Sequence, residues 1–234
     1  MNYITGPNSY ELSLVMAYVA LMLLLDIGGL DLWLASHWYA LQGHQWALQD
    51  YWLTEQVLHQ GARKLNYVFA SAVLLTTAYY KLIETSQSQR TTAYLALTLS
   101  LLLSFALIAY LKSITNVACP WSLQLYGGTE PYFHLWQQRP ANLAYRQCFP
   151  AGHASVGYAW VALYYFFKHA RPEYRFIGLA TGLSAGLILG LTQQLRGAHF
   201  MSHDVTTLFV CVLSAKSCFA LMFRNKKPII ASEV

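Results

Sequence analysis

From Thr91 to Leu111 the chain runs for 21 residues without a charged side chain, and the run stops at Lys112. Roughly 20 such residues cross the hydrocarbon core of a bilayer as a helix. Inside lipid the backbone must satisfy its own N–H and C=O groups, which leaves helices and closed barrels as the spanning structures. The composition agrees with this reading. Of 234 residues 56% are hydrophobic and 11% charged, where a soluble domain carries roughly 25% charged residues. The formal net charge of +5 comes with no basic run or stripe, so it fits membrane orientation better than nucleic-acid binding.

Further apolar stretches, read in order, predict helices over about 12–34, 65–81, 150–167, 176–195 and 205–223 in addition to 91–111. The expectation is an all-α polytopic integral membrane protein with six transmembrane helices, folded as one membrane-embedded unit over residues 1–234. Asp26 and Asp31 fall towards the far end of the first helix and read as structural groups, paired in the bundle or interfacial. The segment from His37 to Arg63, rich in Trp, Gln and His, reads as interfacial. Met1 to Glu11 has no basic residue ahead of the first apolar run, so it lacks the charged region of a cleavable secretory signal and reads as retained.

Six crossings put both termini on one side. That side collects Lys81, Arg90, Lys168, Arg171, Arg175, Lys216, Arg224, Lys226 and Lys227, nine in all. The opposite side has six: Arg63, Lys64, Lys112, Arg139, Arg146 and Arg196. The excess of Lys and Arg predicts cytoplasmic termini.

The same alternation makes a prediction about chemistry. Lys112 ends the third helix, His153 opens the fourth, Arg196 ends the fifth, and His199 to Asp204 lead into the sixth. All then lie at one membrane face. Ionisable groups at a membrane edge are costly unless paired or used, and they mark candidate sites. Pro150-Ala151-Gly152-His153 is read as a helix start with Pro150 at its first position, where free N–H groups bind phosphate and Gly152 allows close approach. Lys112 and Arg196 are placed to balance phosphate charge. His153 and His199 are placed to act as general acid and nucleophile. Each has an ordinary alternative: a snorkelling lysine, a helix cap, a hydrogen-bonded structural histidine, or a metal pair at His199 and His203. Their convergence on one face favours a phosphate site.

These residues resemble the type 2 phosphatidic acid phosphatase family, membrane relatives of the vanadium haloperoxidases. The family motifs are Lys-x6-Arg-Pro, Pro-Ser-Gly-His and Ser-Arg-x5-His-x3-Asp. Here Lys112 precedes Cys119-Pro120, Pro150 to His153 matches the second motif apart from Ala151, and Gly197-Ala-His199-Phe matches the region of the third. Counting from His199, the family's Arg falls on Gln193 and its Asp on His203, while this chain has Arg196 and Asp204 nearby. The signatures Cys-Pro-Trp, Ala-Gly-His and Arg-Gly-Ala-His-Phe are similar to those of a divergent bacterial subfamily.

The resemblance implies a haloperoxidase-like bundle in a bacterial inner membrane, with the site periplasmic. It implies metal-independent hydrolysis of a phosphomonoester or diphosphate on a membrane lipid, with no cofactor. The candidate substrates are undecaprenyl diphosphate, lipid A, phosphatidylglycerol phosphate and phosphatidic acid. His199 would form a phosphohistidine, His153 would protonate the leaving oxygen, and Asp204, or else His203, would orient His199. Lys112, Arg196, Gly152 and His203 would hold the phosphate. The alternatives are a lipid phosphotransferase with the same site, a non-catalytic lipid-binding protein, and a metal enzyme built on His153, His199 and His203. Cys119 and Cys148 flank the motifs on the face read as periplasmic, where an oxidising compartment favours a disulfide over two free thiols. The loop from Trp121 to Trp136 is a candidate gate.

Overall fold

The computed structural model describes residues 9–84 and 88–224. Lys226 and Lys227 of the basic tail lie outside them. The described residues are helical with no named strand: α1 (Ser9–Met22), α2 (Leu30–Leu41), α3 (Ala62–Ile83), α4 (Gln89–Ile114), α5 (Ser155–Tyr158), α6 (Ala162–Ala170), α7 (Arg175–Leu195) and α8 (Met201–Phe223).

Among the described residues three helices are long and apolar enough to cross a membrane: Gln89–Ile114, Pro172–Leu195 and Met201–Phe223. The bent pair Glu11–Ile27 and Leu30–Leu41 makes a fourth if counted as one span. The first helix therefore differs from the continuous 12–34 expected. A wide π-type turn over Leu23–Ile27 leads into Gly28 and the left-handed Gly29 (φ 74°), and the two halves meet at 55°. α3 has the length of a span, but Asn66, Ser71, Thr76 and Thr77 dilute its apolar character. Two of these are used in packing. Asn66 Oδ1 accepts from Trp160 Nε1 at 2.9 Å, and the Thr77 hydroxyl pairs with that of Thr98 at 2.8 Å.

The expected 150–167 helix is also broken. Helix begins only at Ser155 and is interrupted by a tighter turn at Ala159–Val161. Pro150 therefore does not open a helix. It follows a cis peptide bond, and residues 150–154 form turns strapped to α8. Ala151 N donates to His203 O (3.2 Å) and Ala151 O accepts from the Thr207 hydroxyl (3.0 Å).

The main core joins α4, α5, α6 and α8 through Ala93, Ala96, Leu97, Leu101, Tyr158, Val161, Ala162, Phe166, Cys211 and Phe219. α7 joins it along glycines spaced by four: Gly178, Gly182, Gly186 and Gly190 are all buried. Small residues at this spacing let helix backbones meet: the Ala159–Val161 turn lies against Gly182 and Tyr158 of α5 against Gly186, while Gly178 meets α6 and Gly190 meets Asp204 of α8.

The long connection from α4 to α5 is held by several ties. Cys119 and Cys148 are joined in a disulfide, with Cα atoms 5.3 Å apart. Glu130, buried, is paired with both Arg139 and Arg146. Asp26 accepts from Tyr132 Oη (2.8 Å) and Leu135 N (3.1 Å) and lies 3.1 Å from His134 Nδ1. A second small core of Ala35, Ala118, Leu123, Tyr126 and Phe200 fills the space beneath.

Candidate active site

The turn between α7 and α8 brings the third motif into place. Gly197 takes φ 71°, and the Trp46 indole lies where a Cβ would stand, 2.4 Å away. A residue with a side chain is excluded there on both counts. Ala198 and His199 follow, and a cavity of about 350 Å³ opens in front of them. Its wall includes Lys112, Gly152, His153, Gln193, Arg196 and His199. Six residues spread over 88 positions of sequence thus share one space. Cys119 and Cys148 line it too, as does Trp121, alone of the Trp121–Trp136 aromatics.

Lys112 lies over Gly152: a Cβ on Gly152 would stand 3.1 Å from its Cδ and 3.6 Å from its Nζ. Nζ is 3.5 Å from the Pro150 carbonyl oxygen. Arg196 is 4% exposed and held on three sides. It donates to Gln49 O (2.8 Å) and to Gln193 Oε1 (3.1 Å), and forms an ion pair with Glu55. A guanidinium only donates, so the Gln193 oxygen faces Arg196. Its Nε2 is buried and without a partner among the described residues, and Gln193 is one of the residues lining the cavity.

The two catalytic candidates are held by different nitrogens. His153 Nε2 lies 2.9 Å from Leu58 O. A carbonyl only accepts, so Nε2 carries the proton and Nδ1 is left for other chemistry. His199 Nδ1 meets His203 Nδ1 at 3.3 Å, and the Cys148 backbone also hydrogen-bonds to the His199 ring.

Asp204 is placed elsewhere, which corrects the expectation that it orients His199. Its carboxylate accepts from Gln194 Nε2 and packs on Gly190. Successive helix residues point about 100° apart, so His203 and Asp204 cannot both face His199. His203, at the position where the family has Asp, takes that place. His153, His199 and His203 do not form a metal cluster: among the described residues no group of three or more His, Cys, Asp or Glu is arranged to hold one.

Three groups at the site, two of them on the cavity wall, went unread in the sequence. Glu55, His59 and Arg63 lie at intervals of four across the π-type helix Leu53–Gly61 and the start of α3. His59 and Arg63 line the cavity, and Glu55 pairs with Arg196. His59 Nδ1 lies 3.0 Å from Glu55 Oε2, and its ring meets that of His153 with centroids 4.5 Å apart. The repeat of four was the available signal. Hydrogen bonding from Gln60, then the Arg196 charge, holds the Glu55 carboxyl below its ordinary range.

Burial pushes the His153 imidazole from 6.5 down to about 4. Burial, then the neighbouring His203 and the Lys112 charge, holds His199 well below 6.5. The unfolded chain takes up these protons near pH 6.5 and the folded chain only well below it. These two imidazoles therefore contribute stability that is lost as pH is lowered through that window. Between about pH 6.5 and pH 4 the thermal midpoint of the wild-type protein in detergent should fall relative to that of His153→Gln. A difference between the two that stays constant with pH would contradict the assignment.

Helices of membrane-spanning length and a cavity walled by three cations, the Gln193 amide and three imidazoles suit a membrane protein that handles phosphate. The chain belongs to the PAP2 superfamily, the type 2 phosphatidic acid phosphatases, whose profile matches residues 93–227, more than half of its length. No curated protein and no solved structure matches it significantly. Membership implies a phosphatase acting on phosphorylated substrates.

Proposed function

We propose that the protein is a six-span lipid phosphatase that works through a phosphohistidine without metal, at the periplasmic face of a bacterial inner membrane. The observation that carries this reading is the single cavity shared by Lys112, Gly152, His153, Gln193, Arg196 and His199. A lipid substrate is supported by a second cavity of about 520 Å³ with an apolar wall, including Leu65, Phe69, Val73, Leu163 and Ile188. Val156 lines both. The six-span reading is supported by the exposed apolar side chains of α3, among them Leu65, Val68, Phe69, Leu74, Leu75, Leu82 and Ile83, which suit contact with lipid. α5 and α6 with their connecting turn would supply the fourth crossing.

In the proposed reaction His199 Nε2 attacks phosphorus and the bond from phosphorus to the lipid oxygen breaks. His153, protonated at Nδ1 in the substrate complex, gives that proton to the leaving oxygen. Water then attacks the phosphohistidine, His153 takes the proton back, and phosphate leaves with His199 restored. The phosphate dianion beside His153 favours its imidazolium and so offsets the burial that depresses its pKa in the free protein. Lys112 and Gln193 Nε2 donate to the equatorial oxygens as charge develops. Arg196 contributes from beside Gln193, its charge partly balanced by Glu55.

Phosphate release should be measured in detergent micelles with chelator present, against undecaprenyl diphosphate, a lipid A phosphate, phosphatidylglycerol phosphate and phosphatidic acid. Turnover of at least one is expected, with free phosphate as product. A phosphorylated lipid acceptor in place of free phosphate would make the protein a transferase. Binding without turnover by folded protein would overturn the enzymatic reading.

A further inference from the structure

Behind the imidazole pair, on the side away from the phosphate cavity, lies a much smaller cavity of about 20 Å³. Asp26, Asp31, Tyr132, His134, Ser202 and His203 are among its lining residues. About 10–15 Å³ on this measure accommodates one water molecule, provided that polar partners are present. They are. His203 Nε2 is buried and has no partner among the described residues, the Ser202 hydroxyl lies in hydrogen-bonding relation to the Asp31 carboxylate, and both residues are fully buried. Of the two carboxylates, Asp26 is already engaged by Tyr132, His134 and Leu135. Asp31 accepts the Ser202 backbone N–H at Oδ1 (3.0 Å), and a carboxylate has capacity for several donors.

We propose that Asp31, acting through one water held between its carboxylate, Ser202 Oγ and His203 Nε2, is the residue that positions the His203–His199 pair. His203 Nε2–H donates to the water, and the water donates to Asp31. That assignment fixes His203 Nδ1 as an acceptor. It receives Nδ1–H of His199, and His199 Nε2 keeps its lone pair directed at phosphorus. Residue 203 is a histidine where the family has a carboxylate, and the negative charge it lacks is supplied from behind by α2. Asp31 lies outside the region matched to the family, residues 93–227. The inference rests on the reading of His199 as nucleophile. Asp31 also holds the first turn of α8 through Ser202, so the test must separate that structural bond from the relay.

Asp31→Asn retains an acceptor for Ser202 N and removes the charge. In the full-length protein kcat is expected to fall about 10- to 100-fold, as for partners of a reacting group's ligand shell, with KM little changed. In a His203→Asn background the same change should cost less than about threefold, because a relay once cut cannot be cut again. Losses that multiply, or a single-variant kcat close to wild type, would overturn the proposal. A readout independent of turnover is nitrogen NMR of isotope-labelled histidine. His203 should carry its proton on Nε2, and that resonance should move in Asp31→Asn. A bare Nε2, or an unmoved resonance, defeats the relay even if no lipid is hydrolysed. Absence of turnover together with the expected resonances would instead defeat the phosphatase reading alone.

Discussion

His199→Ala is expected to abolish phosphate release from the lipid substrate, by about 10⁴-fold or more, the scale seen when a covalent nucleophile is deleted. The other imidazoles nearby are differently placed: His59, on the same wall, is engaged through Nδ1 with Glu55. His203 is its nearest neighbour but is completely buried and absent from the phosphate cavity wall. His153 faces that cavity with a different task, and the two roles separate by leaving group. His153→Gln should lower turnover of an alkyl phosphate by roughly 10²- to 10⁴-fold, the usual worth of a general acid. Most of that activity should return with an aryl phosphate, whose leaving oxygen needs no proton. His199→Ala should be equally inactive with both. Acid quenching during turnover should trap labelled phosphate on wild-type protein and none on His199→Ala. Equal recovery of the two variants with the aryl ester would make the assignment of roles wrong.

The all-helical fold was legible because uncharged runs of span length admit few other structures, and family membership because three motifs keep their order and spacing. The breaks were harder to read. Gly28 and Gly29 sit in an apolar run that looks continuous, yet the left-handed Gly29 bends the path by 55°. Pro150 suits the first position of a helix, but the backbone of Ala151 bonds to α8 instead, a tertiary contact no local pattern reports. Glu55 lies 141 positions from Arg196 in a segment read as interfacial. The choice between His203 and Asp204 depended on where α8 begins, because one residue of shift rotates the face by about 100°. Lys112, Gly152, His153, Arg196 and His199 could be grouped in advance because each stands at or near the end of an apolar run, and one cavity brings them together.

Gly182→Ala should destabilise the protein and lower its activity, although helix propensity alone argues the reverse. Within a helix alanine is favoured over glycine by about 1 kcal/mol. At Gly182, however, a Cβ would stand 2.3 Å from Val161 N and 2.6 Å from the Trp160 carbonyl carbon. These are backbone atoms, which no rotamer change can move aside, so the Ala159–Val161 turn must shift bodily from α7. Overpacking of this kind costs about 1–3 kcal/mol and sometimes more, enough to reverse the propensity gain. The shift would reach the site because α5 and this turn follow His153 directly, and Trp160 is tied to Asn66 on α3. A lower thermal midpoint in detergent and a reduced kcat are expected together. Leu183→Ala, one residue further along α7 on a partly exposed face, should leave kcat within about twofold, since substitutions away from such contacts have small effects. If Gly182→Ala instead raises the midpoint with kcat intact, the close approach of α7 to the α5–α6 segment does not hold His153 in register, and the glycines spaced by four have no part in positioning the site.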